Sequence, residues 1–220
     1  MEPLDLYCER VEPGPLGEPL NALSNAGFFI AAWALWRGAR RRGAPGPVAW
    51  LLIGLVAAIG AGSTLFHVYA DTRTHVLDTT PILLFQLCFL WCYCRRAMRL
   101  GAAASAFAVA AFLVVGLYAR RFPDALNGSL AYAPALLVLL ALGARHAVRA
   151  APRRWDLAIA AGLLLVSLAF RTVDTALCDA LPLGTHFLWH LFNAAVVFLC
   201  VRVQLEFPAN FRIHSLPDRK

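Results

Sequence analysis

Two pairs of residues stand four apart in the chain, Ser63 with His67 and His186 with His190, and on a helix that spacing turns both members of a pair to one face. Two imidazoles at i and i+4 are the arrangement by which a helix holds Zn²⁺. A third His, here His67, completes a three-ligand set whose fourth position is left to water. Asp78 follows His67 by eleven residues and brings a carboxylate that could accept and return a proton. Taken singly, each of these fits an interfacial His or a helix-capping Asp. Four of them at matching ends of three apolar segments favour a site. Ser63 divides evenly between a site role and a bond to its own helix backbone. Gly60 and Gly62 read as close-packing positions between helices.

A second group of polar residues lies ahead of the first apolar segment. Asp5, Glu9 and Glu18, with Asn21, Ser24 and Asn25, form a run of oxygen donors that would satisfy a hard cation such as Ca²⁺. The alternative is a solvated acidic loop with Ser24 or Asn21 capping the helix. Cys8 and Cys178 fall in segments on the same side, where a bridge between them could persist, whereas Cys88, Cys92, Cys94 and Cys200 fall in apolar spans and read as small hydrophobes. His75, His146 and His214 read as surface residues.

The elements that must position these groups are membrane helices. The 220 residues are 60% hydrophobic and 15% charged, far from the balance of a water-soluble domain. Apolar windows fall at 20–36, 47–69, 76–94, 100–119, 126–144, 155–170 and 185–203, each closed by Arg, Pro, Gly or Asp. Seven spans of roughly 20 residues use about 140 of the chain and leave only short connections. The expectation is therefore an all-α integral membrane protein, a bundle of seven transmembrane helices in one domain over 1–220, with 1–19 an outer segment and 204–220 an inner tail.

Of the 20 basic residues 19 are Arg, and 15 of the 20 fall on one side of the predicted spans, including Arg37, Arg40–42, Arg95, Arg96 and Arg99. Basic loops stay in the cytoplasm, which predicts the N-terminus outside and the C-terminus inside. The net charge of +7 thus reports topology and anionic headgroups, not a nucleic-acid partner. The acidic N-terminus does not read as a cleavable signal, so the first helix does the targeting. No repeat or heptad run is present, and no protein partner is predicted.

With these residues in place the chain resembles the alkaline ceramidases, seven-helix membrane zinc amidases distantly related to the adiponectin receptors. The resemblance is carried by Tyr7-Cys8-Glu9, by Glu18 through Asn25, by Gly62-Ser63 through Phe66-His67, by Leu77 through Pro81, by Asp174 through Cys178, and by His186 through His190. It implies zinc on His67, His186 and His190, with Ser63 and Asp78 as catalytic residues beside it. Calcium near Glu9 and Glu18, with Asp5 as a further donor, and a Cys8–Cys178 disulfide are implied in the same way. The chain departs from the family pattern at Leu6 and Val11, where acidic and amide donors are usual, and at Thr79, where the family has an acid. The Ala- and Arg-rich, Lys-poor composition suggests a bacterial member. The resemblance implies hydrolysis of the N-acyl amide bond of a ceramide-like membrane lipid to a fatty acid and a sphingoid base. Two rivals share the site: a lipid esterase or phospholipase, and a receptor-like protein whose zinc is only structural.

Overall fold

A computed structural model describes residues 4–10, 14, 17–43, 46–149 and 152–207. Expectations resting on Val11 and on the tail from 208 onward, His214 among them, lie outside these residues. Among the described residues the chain is all helix and turn, with no strand, and folds as the expected seven-helix bundle.

The first helix is interrupted. A short α1 (Pro19–Ser24) opens on Pro, whose missing N–H is harmless in a first turn. It runs through the buried Asn25 into α2 (Ala26–Arg41). Together they cover 19–41, about 34 Å at the helical rise. α3 (Pro47–Tyr69) matches its apolar window and ends where Ala70 takes a left-handed conformation, φ 46°. α4 (Thr72–Arg96) starts four residues before its window because Asp71 caps it: the Asp71 carboxylate accepts from the Thr74 amide at 2.7 Å, and Thr74 answers the Asp71 amide at 3.1 Å. The polar first turn was invisible to an apolar count.

α5 (Ala102–Ala119) follows directly, but the next window begins late. Leu126, Asn127 and Gly128 all have positive φ, which no helix accommodates, so a 3₁₀ turn at Ser129–Tyr132 leads into α6 (Ala133–Val148). α7 (Asp156–Val173) and α8 (His186–Gln204) complete the chain. Counting the 3₁₀ turn with α6, six helices among the described residues are long and apolar enough to cross a membrane.

Helices α3 and α4, α7 and α8, α6 and α7, and α2 with both α3 and α8 pack against one another. Leu35, Leu52, Val56, Leu157, Ala160, Val201 and Val203 are sealed between them. The outward faces are as apolar as the interior: Phe107 is 76% exposed, and Ile30, Trp33, Val114 and Leu137 also face outward. Such a surface suits hydrocarbon, where helix association rests on close packing instead of water exclusion.

At the end of the bundle away from Ser63 and the His pair, Glu206 meets Arg42 at 2.9 Å and Arg153 at 2.5 Å, and Asp156 meets Arg202 at 3.3 Å. His146 corrects the surface expectation. It is buried, bonded through Nδ1 to the Tyr93 hydroxyl at 2.9 Å and through Nε2 to the Pro152 carbonyl at 3.0 Å. Both ring nitrogens have partners, which is how an imidazole is retained in a core.

Candidate metal centre

His67 reaches the site from the last turns of α3, and His186 and His190 from the first two turns of α8. One ring nitrogen of each lies within 4.8 Å of the others, and all three side chains are buried. No other group of three or more His, Cys, Asp or Glu able to share an ion occurs among the described residues.

The hydrogen bonds behind the rings set their tautomers. His67 Nδ1 lies 2.5 Å from Glu18 Oε2. Burial opposes ionisation of Glu18, but hydrogen bonds from His67, Arg10 and Asn21 outweigh it and hold the carboxyl below its usual range. A carboxylate only accepts, so His67 Nδ1 carries a proton, and in the neutral ring Nε2 is the nitrogen left to ligate. His190 Nδ1 lies 2.7 Å from Ser24 Oγ, whose own proton goes to the Asn21 carbonyl at 2.8 Å. Ser24 therefore accepts from His190, and in the neutral form of that ring too Nε2 is the nitrogen left to ligate. The two Nε2 atoms lie 3.1 Å apart, close enough to share an ion or a proton. The third ring, His186, stacks on Tyr7 with centroids 3.6 Å apart, and its buried Nδ1 has no protein partner. Three buried imidazoles, each offering one nitrogen within 4.8 Å of the others, are a donor set that fits Zn²⁺ in their neutral form.

Around this set the chain builds a rigid frame. Arg10 Nε donates to Glu18 Oε1 at 2.6 Å and its Nη2 to the His67 carbonyl at 3.0 Å. Asp174 accepts from the amides of Thr185 at 2.5 Å and His186 at 2.9 Å with one oxygen, and from the Cys8 amide at 3.2 Å with the other. It thus anchors the start of α8 to the N-terminal segment, which the Cys8–Cys178 disulfide also ties down. Sequence reasoning assigned no job to Arg10 and read Ser24 as an oxygen donor to a cation or, alternatively, as a helix cap. The available signal was that an Arg on the Arg-poor side needs a reason to be there.

Ser63 bonds no backbone carbonyl; its Oγ approaches His190 Nε2 at 3.4 Å. Asp78, half-buried in α4, lies within electrostatic reach of Ser63, His67, His75 and Arg171. Gly62 brings the two helices together. A Cβ there would collide with the Leu77 carbonyl and crowd the Asp78 amide. That carbonyl has no intrahelical donor, since the residue four ahead is Pro81. Ser63, Asp78 and His190 line one cavity, and from them it runs down between the helices past Phe28, Phe85, Phe89 and Leu90 to Cys200. Along α8, from His190 to Cys200, that is about 15 Å of largely apolar wall, interrupted by Asn193 and, on α4, by Gln86.

The calcium reading of Asp5, Glu9 and Glu18 receives no support. Glu9 accepts from the Leu20 and Asn21 amides at 2.5 and 2.7 Å and so caps α1, while Glu18 is held by Arg10 and His67. Asp5 is exposed.

A buried three-His group that could hold a metal ion thus lies at the head of a largely apolar cavity, inside a helical bundle with a lipid-compatible surface. The model of the Ceramidase family matches residues 13–208, and the chain belongs to that family. A comparison with curated proteins gave no match. Membership supports a hydrolase acting on the amide bond of ceramide in the broad sense, with a lipid as substrate.

Proposed function

We propose that the protein is a zinc-dependent amidase that cleaves the N-acyl bond of a ceramide-like lipid, releasing a fatty acid and a sphingoid base. The observation that carries this reading is the convergence of the three buried His rings, with the Nε2 atoms of His67 and His190 at 3.1 Å, beside Ser63 at the polar head of a largely apolar cavity. His67, His186 and His190 would hold the metal, and Zn²⁺ bound there supplies Lewis acidity toward water and an amide carbonyl.

The side chains around the ion have separate tasks. The cavity accepts one hydrocarbon chain and excludes water from its length. Ser63 Oγ–H donates to the carbonyl oxygen as negative charge grows on it, a contribution that strengthens in the transition state. Asp78 takes the proton of the attacking water and delivers it to the leaving nitrogen, so that the amine departs neutral. Glu18 and Ser24 keep two of the rings in the competent tautomer throughout.

The site end of the bundle is assigned to the outer face and the Arg-rich end to the cytoplasm. Cys placed at Thr72 should react with an impermeant thiol reagent in intact cells and Cys at Gly101 should not; the reverse pattern would invert the topology.

The central test is metal analysis and lipid hydrolysis on purified protein and two variants. His67→Ala should lose bound zinc and activity together. Asp78→Asn should keep zinc while hydrolysis falls by about 10² to 10⁴, the usual loss for a general base. Full amidase activity in Asp78→Asn would refute the proton-transfer role, and preference for a matched ester would redirect the substrate assignment.

A further inference from the structure

Gln86 is an amide set into the wall of a hydrocarbon-lined cavity. It stands on the stripe of α4 that begins with Asp78: Asp78, Ile82, Gln86 and Leu90 recur at four-residue spacing, and all four line the cavity. Phe85, Phe89 and Phe112 complete the wall around it. The side chain is half-buried, yet it makes no hydrogen bond to any other described residue.

Asn193, the other amide on this wall, shows the ordinary alternative. Its Nδ2 donates to Ser167 Oγ at 2.7 Å and to the Trp189 carbonyl at 2.8 Å, so it ties α8 to α7. That is the usual use of an amide among membrane helices. Gln86 ties nothing. An amide removed from water without a partner costs free energy, and here its donor and acceptor are left for a group that enters the cavity.

Depth decides what that group is. Eight residues of helix place Gln86 about 12 Å below Asp78, toward the Arg95 and Arg96 end of α4. An extended hydrocarbon chain has nearly the bond lengths and angles of an extended backbone and advances about 1.2 Å per bond, so the Gln86 level falls near roughly the tenth bond from the reacting amide. The head hydroxyls of a sphingoid base are attached beside the amide nitrogen and cannot reach that level. An unsubstituted acyl chain reaches it but brings only C–H groups. A hydroxyl at mid-chain can both donate and accept, as the Gln amide can.

We propose that Gln86 selects lipids whose acyl chain carries a hydroxyl near its middle. The proposal rests on the amidase reading for the position of the scissile bond, and so for where along the chain the hydroxyl falls. The rest of the wall takes the hydrocarbon on either side of that hydroxyl.

The test gives the purified full-length enzyme mixtures of two amides of one sphingoid base, so that the ratio of consumption rates is the ratio of kcat/KM. Stearoyl amides hydroxylated at the tenth and at the seventeenth carbon have one composition and partition similarly into detergent. The wild type should prefer the tenth-carbon isomer about tenfold, the scale of pairing one otherwise unsatisfied amide. Gln86→Leu should lose that preference. The ratio between a third-carbon hydroxystearoyl amide and the plain stearoyl amide should not change in Gln86→Leu, because that hydroxyl stays near the head. Equal use of the two isomers by the wild type overturns the proposal whether or not the variant folds. So does a preference retained in Gln86→Leu, or a third-carbon ratio that shifts as far as the tenth-carbon one. Binding without turnover is read alongside, by displacement of a brominated stearate that quenches tryptophan, since Trp189 lies in the cavity wall. If no amide is cleaved while the tenth-carbon hydroxystearate displaces the probe better than its isomer in the wild type and not in Gln86→Leu, the amidase reading fails and the chain site stands.

Discussion

Ser24→Ala removes one oxygen and tests the logic by which the His centre is built. Ser24 Oγ is the acceptor that keeps the proton of His190 on Nδ1, at 2.7 Å, and so leaves Nε2 with its lone pair toward His67. Without that acceptor the ring can hold its proton on either nitrogen, and one choice blocks metal binding outright. Loss of an outer-shell partner of a metal-binding His costs about 10- to 100-fold in affinity, or about 1.4 to 2.7 kcal/mol. The lost hydrogen bond itself should cost the fold only about 1 kcal/mol. Zinc affinity measured by competition with a chelator should therefore fall far more than the melting temperature of the metal-free protein. Ser24→Thr, which keeps the hydroxyl, should restore most of the affinity. Wild-type zinc affinity in Ser24→Ala would refute the tautomer argument and with it the assignment of Nε2 as the ligating nitrogen of His190.

At Gly62, substitution by Ala places a Cβ against the Leu77 carbonyl, so α3 and α4 must separate. Overpacking of this kind costs about 1 to 3 kcal/mol, and hydrolysis should fall further than zinc content because Asp78 moves while the His set does not; an unchanged melting temperature would show that the helices yield freely. At the opposite end of the bundle, burial works against ionisation of Glu206, but hydrogen bonds from Arg153 and Arg42 outweigh it and hold the carboxyl below its usual range. A depressed carboxyl stabilises the fold above its unfolded pKa of about 4.3 and ceases to do so as pH falls through the folded value. The melting-temperature gap between wild type and Glu206→Gln should accordingly be present at pH 7 and close on the acid side of the ordinary carboxylate range. A gap that persists there would mean that the pair acts through packing instead of charge.

Much of the architecture is written locally. The apolar windows mark helices because a bilayer leaves the backbone no other partner than itself, and Pro47, Asp71 and the His186/His190 spacing are cues contained within a turn or two. Four of the five residues placed at the centre, His67, Asp78, His186 and His190, were legible for the same reason: an ionisable group at membrane depth is conspicuous, and i, i+4 spacing orients a pair without knowledge of the fold. Ser63 was ambiguous in the sequence because a hydroxyl in a helix can bond its own backbone; only the approach of α8 decided against that use.

Beyond the Cys8–Cys178 bridge that the resemblance implied, what the sequence could not determine is which side chains meet where the N-terminal segment packs against α3 and the region leading into α8. Ser24 and His190 are 166 residues apart, as are Cys8 and Asp174, and Glu18 is 49 from His67. Glu9 and Glu18 have the composition of a cation site, but folding brings them amide groups, Arg10 and His67 as competing partners, and these occupy the carboxylates. Arg171 counted in the sequence only as one more charge on the sparse side, and three rings from three distant segments turned it into a caged cation. Residue type and spacing thus determined which groups can donate, accept or ligate, because those are properties of a side chain and of one helical turn. The choice of partner was left to the tertiary structure, since a hydrogen bond or a lone-pair contact requires two segments at about 3 Å, and no local pattern encodes that distance.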